Sequence, residues 1–218
     1  MIRLFCGYDE REAIGFHVFV DSVIRRATVP VAFTPLSAMG MPVGSNSFTV
    51  SRFLVPYLCG FKGSAIFMDG SDMLLGTDIA KLAASFNTEF AVQVVQHPDY
   101  DTRHPRKYVG TGMEAENRNY PRKNWASVML FNCEHPVWQD FTPQCLASYP
   151  VGDLLSLRFA GEDVGLLHPR WNRLVDEGQP AAGNVLHWTG GIPAFEHYRD
   201  APGAEFWHAA RAQMEQTA

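Results

Sequence analysis

The chain has only four cysteines in 218 residues. None belongs to a C-x-x-C pair or stands at ligand-like spacing, which excludes a disulfide scaffold and a thiolate metal site. Cys6 and Cys133 fall in apolar runs, where a free thiol behaves as a small hydrophobe, and all four read as reduced, structural residues. Long apolar runs are missing too, and none approaches the roughly 20 residues of a membrane-crossing helix. The opening MIRLFCGYDER lacks the apolar core and small-residue cleavage site of a secretory signal. A cytoplasmic location without a transmembrane segment is therefore expected. Charge is modest, at 19% of residues with a net value of −5, so no field draws nucleic acid or an anionic membrane. Repeats, low-complexity tracts and linkers are also lacking, and residues 1–218 read as one domain.

What the chain does have is 46% hydrophobic residues in alternating strand-like and helix-like groups. Ile2 to Cys6 is a strand candidate. Ala13, Phe16, Val20, Val23, Ile24 and Ala27 then repeat at helical spacing over residues 11 to 27, with His17 on the stripe as a packed histidine. Val31 to Thr34 forms a second strand. Val50, Phe53, Leu54, Tyr57 and Leu58 give another helical stripe, bent or shortened by Pro56 and closed by Gly60. Ile66 to Met68, Phe90 to Val95 and Ser127 to Cys133 are further strands, and Asp78 to Ser85 a short helix. The alternation predicts an α/β layered fold on a largely parallel central sheet flanked by helices. Near the end, EFWHAARAQMEQ reads as an amphipathic helix with Phe206, Ala209, Ala210 and Met214 on one side. Residues 97 to 124 break the pattern: Arg103, Arg106, Lys107, Arg118, Arg122 and Lys123 gather there with little apolar content. They read either as a solvated loop or as a mobile cationic lid that meets an anionic substrate.

Chemistry concentrates in IFMDGSDMLL, Ile66 to Leu75, where Asp69 and Asp72 interrupt an apolar run. Buried carboxylates are costly unless paired, hydrogen-bonded or bound to metal, and the carboxyl ends of strands are where open α/β sheets bind ligands. The segment therefore reads as a divalent-cation site holding a diphosphate, or else as a capped Asp-Gly-Ser-Asp turn. A second group, NVLHWTGGIPAF, places His187 between a short apolar strand and Gly190-Gly191, whose backbone can approach a phosphate closely. Two carboxylates and one imidazole suit Mn²⁺, with Mg²⁺ second. Trp125 and Trp188 flank these segments as candidates for stacking on a sugar ring. Trp138, Trp171 and Trp207 read as core.

FMDGSDML after a helix, then NWASVMLFN, then VLHWTGG, resembles in this order the retaining GT-A glycosyltransferases related to glycogenin and to bacterial lipopolysaccharide galactosyltransferases. The resemblance extends from Ile2 to about Trp207. It implies a GT-A-like fold and transfer of a sugar, with retention, from a nucleotide-diphosphate sugar (a UDP-sugar first) to a glycan or other hydroxyl acceptor. It further implies a metal held by Asp69, Asp72 and His187, a donor contact from Arg52, and base or ribose binding at Asp9. Asn132 and Asp163 correspond to residues around the donor sugar and reaction centre, and Gly190, with Gly191, to the diphosphate loop. Glu162 and Asp163 are the candidates for orienting the acceptor hydroxyl.

Three departures stand out. Two residues separate the acids where the family has one, which favours Asp72 as the firmer ligand. The family's late lysine has no counterpart in GGIPAF, leaving Arg103, Arg106, Lys107 or Lys123 as substitutes. The acidic acceptor segment is Gly161-Glu162-Asp163. Two alternatives follow: a sugar-nucleotide or glycan-binding module without turnover, or a phosphotransferase of the haloacid dehalogenase type, whose Asp-x-Asp-Gly motif FMDGSD superficially resembles.

Overall fold

The apolar runs form a sheet buried on both faces in a computed structural model that describes residues 1–98 and 100–216. Its strands are β1 (Ile2–Gly7), β2 (Val31–Leu36), β3 (Ser64–Met68), β4 (Met73–Leu75), β5 (Val92–Val94) and β6 (Arg106–Lys107). They continue with β7 (Ala115–Glu116), β8 (Val128–Asn132), β9 (Val164–Leu166), β10 (Arg173–Leu174) and β11 (Val185–His187). The helices are α1 (Ala13–Ile24), α2 (Val55–Leu58), α3 (Ala80–Ala83), α4 (Pro143–Leu146), α5 (Val151–Leu155) and α6 (Ala204–Glu215).

Six strands make the central sheet in the order β2-β1-β3-β8-β5-β9. All run the same way except β8, which is antiparallel to both β3 and β5. A second sheet, β10-β11-β4, packs beside it, and β6 with β7 forms a small hairpin.

The unbroken apolar runs have a simple cause. Phe5, Phe67, Met129 and Phe131 enter one core with Phe53, Trp138 and Leu154. Leu4, Cys6, Ile66, Met68, Val128 and Leu130 enter the other with Phe16, Phe19 and Leu82. Alternate residues of one strand thus serve opposite cores, and a slip of one position would exchange the two sets. Each fully buried large side chain contributes about 1.5–3 kcal/mol, so register is strongly fixed.

Local differences from the sequence expectations also have physical reasons. Pro56 lies in the first turn of α2 after a 3-10 turn at Ser51–Leu54, so it starts the α-helix rather than bending it. His17 faces solvent. On α6 it is Trp207 that is buried, with Ala210 and Met214 beside it, whereas Phe206 is 47% exposed. Trp188 joins Trp207 in this third cluster, its Nε1 donating to Pro202 O at 3.0 Å. Trp188 is therefore a core residue and presents no face to a sugar.

The described residues of the segment 97–124 form a folded flap. Tyr100 and Thr102 donate hydroxyl hydrogens to the Glu177 carboxylate, and the Arg103 N–H does so at 2.8 Å. Tyr108 N–H donates to Gly190 O at 2.6 Å and Val109 N–H to the Tyr198 hydroxyl at 2.9 Å. No helix among the described residues is long and apolar enough to cross a membrane.

Candidate metal centre

The strand register explains why Asp69, Asp72 and His187 meet. Asp69 directly follows β3, and its N–H donates to Ser127 O at 2.9 Å. Gly70 then turns the chain with φ of +75°, a conformation that favours glycine. The turn packs tightly: a Cβ on Gly15 would lie 2.0 Å from Ser71 O. β4 begins one residue after Asp72 and pairs antiparallel with β11, with His187 opposite Met73. Trp188 N–H donates to Asp72 O at 2.9 Å. Asp72 and His187 are thus neighbours across one ladder, although 115 residues apart in the chain.

One ligand-capable atom from each of Asp69, Asp72 and His187 lies within 4.8 Å of the others, and all three residues are buried. Arg52 Nη1 is 2.6 Å from Asp69 Oδ1 as an ion pair, but that oxygen has no aligned hydrogen-bond donor, and neither does Asp72 Oδ1. His187 Nε2 stands 3.3 Å from Asp72 Oδ2, while Nδ1 contacts Asn172 Oδ1 at 2.8 Å. Taking Nδ1 as the protonated nitrogen leaves the Nε2 lone pair aimed at the cluster. Two buried carboxylates, of which Asp72 keeps an oxygen that no donor reaches, plus an oriented imidazole, fit a divalent cation. The mixed oxygen and nitrogen set suits Mn²⁺ better than Mg²⁺.

The electrostatics agree. Burial raises the Asp69 pKa above the ordinary carboxylate value; Arg52 opposes this and Asp72 adds to it. Burial pushes the His187 imidazole down, yet Asp72 prevails and holds it above the usual histidine value. Nearby Glu12 is buried with neither carboxylate oxygen hydrogen-bonded, and burial, Asp72 and Asp9 push its pKa well up. Arg52 also donates to Thr49 O at 3.1 Å and Ala126 O at 2.9 Å, and it sits over the Phe48 and Phe67 rings. Asp69 shares its charge with this fixed guanidinium, which leaves Asp72 the less compensated acid of the pair.

Above the cluster lies a cavity of about 70 Å³, lined in part by Ser45, Asn46, Lys107, Tyr108, Tyr120 and Asn124. The flap supplies four of these residues. Lys107 donates to Ser45 Oγ at 2.6 Å; burial lowers its pKa, against the pull of Asp72, Asp69 and Glu12. Three other flap cations are engaged elsewhere. Arg106 pairs with Glu114 at 2.6 Å, Lys123 donates to Asn117 and the Arg118 carbonyl, and Arg122 lies over Trp125.

Several residues expected at the site lie apart from it. Asn132 is opposite Ser64 on β3, whereas Val128 is opposite Met68, next to Asp69. Four residues at about 3.3 Å each put Asn132 roughly 13 Å down the sheet. There its Nδ2 donates to Thr88 O at 3.1 Å. Asp163 shares that far end, since its carbonyl accepts from Ala91 N–H at 2.9 Å and its half-exposed carboxylate faces His135. Glu162 adjoins it, so neither acid reaches the centre.

Asp9 is buried but occupied. Burial works against its carboxylate, yet bonds from Arg11 and Ser47 prevail and bring its pKa down to about 2. The Gly190 N–H donates to Asp176 Oδ2 at 2.7 Å, and both Gly190 and Gly191 pack on Tyr198. That N–H is therefore committed within the protein, and Thr189 lines the cavity instead. Asn124, at φ of +63° with an unpartnered Nδ2, is the asparagine of NWASVMLFN that reaches the site. Asn172 was not apparent from the sequence, because nothing local to RWNRL marks it as the partner of His187.

Asn172 gives a direct test of how the imidazole is oriented. Losing an outer partner of a ligand typically costs 10–100-fold in metal affinity. Asn172→Ala is expected to weaken Mn²⁺ binding by about that factor in calorimetric titration, and unchanged affinity would contradict the role.

No family model matches the chain. Protein CDI of Arabidopsis thaliana is 30% identical over 223 residues, spanning 94% of this chain and 84% of the relative. Among solved structures, apo WbbM, a bifunctional glycosyltransferase, superposes with TM-score 0.68 at 13% identity, covering 97% of this chain and 49% of that one. The galactosyltransferase LgtC, in complex with donor and acceptor sugar analogs, gives TM-score 0.61 at 15% identity, covering 97% and 96%. The apo glycosyltransferase GlyE of Streptococcus pneumoniae TIGR4 gives 0.62 at 14% identity, covering 96% and 60%. The chain thus spans about half of the WbbM chain and three fifths of the GlyE chain. At these identities the likeness establishes the fold, which is that of the GT-A glycosyltransferases.

Proposed function

The chain belongs to the family of Arabidopsis thaliana Protein CDI, and from the GT-A fold and the acid–imidazole cluster we propose a metal-dependent glycosyltransferase. It moves a sugar from a nucleotide-diphosphate donor, a UDP-sugar first among them, to a glycan or other hydroxyl acceptor. One observation carries the reading: two buried carboxylates, one of them with an oxygen that no donor reaches, and an oriented imidazole lie within 4.8 Å, under a cationic flap.

Asp69, Asp72 and His187 hold the cation. A divalent ion in that position stabilises the negative charge that develops on a departing diphosphate. Arg52 fixes the Asp69 carboxylate, and Asn124 offers its free amide N–H to the donor. Lys107, carried on the flap, supplies the leaving-group cation for which GGIPAF has no residue. A cavity of about 70 Å³ is smaller than the roughly 300–1,000 Å³ of sites that enclose comparable ligands. The flap therefore lifts to admit the donor and closes behind it, bringing Lys107 to the diphosphate and excluding water.

The experiment is release of nucleoside diphosphate from a panel of UDP-, GDP- and CMP-sugars (CMP-sugars releasing CMP), with Mn²⁺ and a mixture of hydroxyl acceptors. Transfer from one nucleotide class supports the reading. Metal-dependent donor binding with no turnover on any acceptor would favour the non-catalytic binding module.

A further inference from the structure

Away from the metal centre, two of the four thiols are neighbours. Cys59 ends α2, its N–H donating to Val55 O at 3.0 Å, and it is partly exposed. Cys133 directly follows β8 and is fully buried. The Cys133 N–H donates to Gly63 O at 2.9 Å, which folds the chain after Cys59 back against Cys133. Cys59 packs against the core cluster that contains Cys133, and the two thiols lie close enough to shift each other's titration. Arg3 stands beside them, its guanidinium donating to Lys62 O at 2.6 Å and Ser64 O at 3.0 Å. Cys6 lies in the opposite core and Cys145 on α4.

We propose that Cys59 and Cys133 are a reversible redox pair that closes into an intrachain disulfide on meeting a small-molecule disulfide of the glutathione class. The accessible member attacks and the buried member resolves, which is the usual division in thiol sensors. The neighbouring Cys133 thiol draws the Cys59 thiol below its ordinary range, with burial opposing and Arg3 assisting. The same contact and burial push Cys133 up.

The chemistry balances with one co-reactant. Cys59 thiolate attacks one sulfur of glutathione disulfide; that S–S bond breaks, and one glutathione leaves as thiolate and takes up the proton Cys59 released. Cys133 then loses its proton and attacks the Cys59 sulfur of the mixed disulfide, expelling the second glutathione as a thiol. Two protein thiols are oxidised and one small disulfide is reduced to two thiols. The new bond ties the end of α2 to the end of β8, on the helical unit that carries Arg52.

The test uses the full chain, reduced and then exposed to glutathione disulfide, acid-quenched, unfolded, alkylated and mapped by peptide mass. The expected product links Cys59 to Cys133 and leaves Cys6 and Cys145 alkylated. Cys133→Ser is expected to trap one glutathione on Cys59, and Cys59→Ser to leave Cys133 unmodified. In the native reduced protein, Cys59 is expected to react with iodoacetamide about tenfold faster than Cys145. A persistent glutathione adduct on wild-type Cys59, no modification of either thiol, or equal rates at Cys59 and Cys145 would overturn the assignment. The wild-type map alone decides it should either variant fail to fold.

Discussion

Asp72→Asn is expected to lower sugar transfer by at least about 10²–10³-fold while the protein keeps its fold, as judged by circular dichroism and melting temperature. Removing one electrostatic contact to the developing charge typically costs that much. The side-chain volume is preserved, so no cavity opens. The neutral amide loses the attraction of Asp72 to His187, 3.3 Å away, but it also relieves the like-charge crowding of Asp72 with Asp69 and Glu12. The two changes offset, and the melting temperature in metal-free buffer should move by a few degrees at most. His187→Ala is expected to lose activity to a similar extent. Full activity in a folded His187→Ala protein would remove the imidazole from the site.

Lys107→Ala is the second large effect. Among the described flap residues, Lys107 is the one cation whose side chain lines the cavity with Asp69 and Asp72. Its charge is partly desolvated, and such a charge acts more strongly on a leaving group than one in water. A loss of about 10²–10³ in kcat is expected, with KM changing far less, because the contact strengthens as the diphosphate departs. Lys107→Arg should recover part of the loss. Arg118→Ala is the control: Arg118 pairs with Glu116 at the surface, with its side chain 80% exposed, and kcat should hold within about twofold, as expected of an exposed pair. Equal effects at Lys107 and Arg118 would show that only the overall charge of the flap matters.

Much of this was legible in the sequence, for identifiable reasons. Asp69, Asp72 and His187 stand out because carboxylates and an imidazole against apolar strands need partners, and that need is local to each segment. The parallel sheet was legible because strands buried on both faces leave long apolar runs. Strand direction was not. NWASVMLFN has an asparagine at each end, and only the reversal of β8 decides that Asn124 reaches the site while Asn132 goes to the far end of the sheet. Glu162 and Asp163 fail for the same reason, since β9 runs parallel to β5 and starts at that far end. Trp188 sits next to His187 on the chain, but alternation turns the two to opposite sides, one to the cluster and one to the core. The flap cations were indistinguishable as a charge run. Only the fold shows that Arg106, Lys123 and Arg122 are engaged while Lys107 points inward.

The central claim is that the Asp69–Asp72–His187 cluster holds a divalent ion through which a nucleoside diphosphate binds. The most direct measurement is the thermal shift of the wild-type protein with UDP or GDP, with and without Mn²⁺, repeated on Asp72→Asn. A ligand at 100 times its dissociation constant adds about 2.7 kcal/mol of stability, which such a scan resolves readily. The expected result is stabilisation by one nucleoside diphosphate that needs Mn²⁺ and vanishes in Asp72→Asn. Stabilisation of equal size without metal, or none with any nucleotide when Mn²⁺ is present, would contradict the claim.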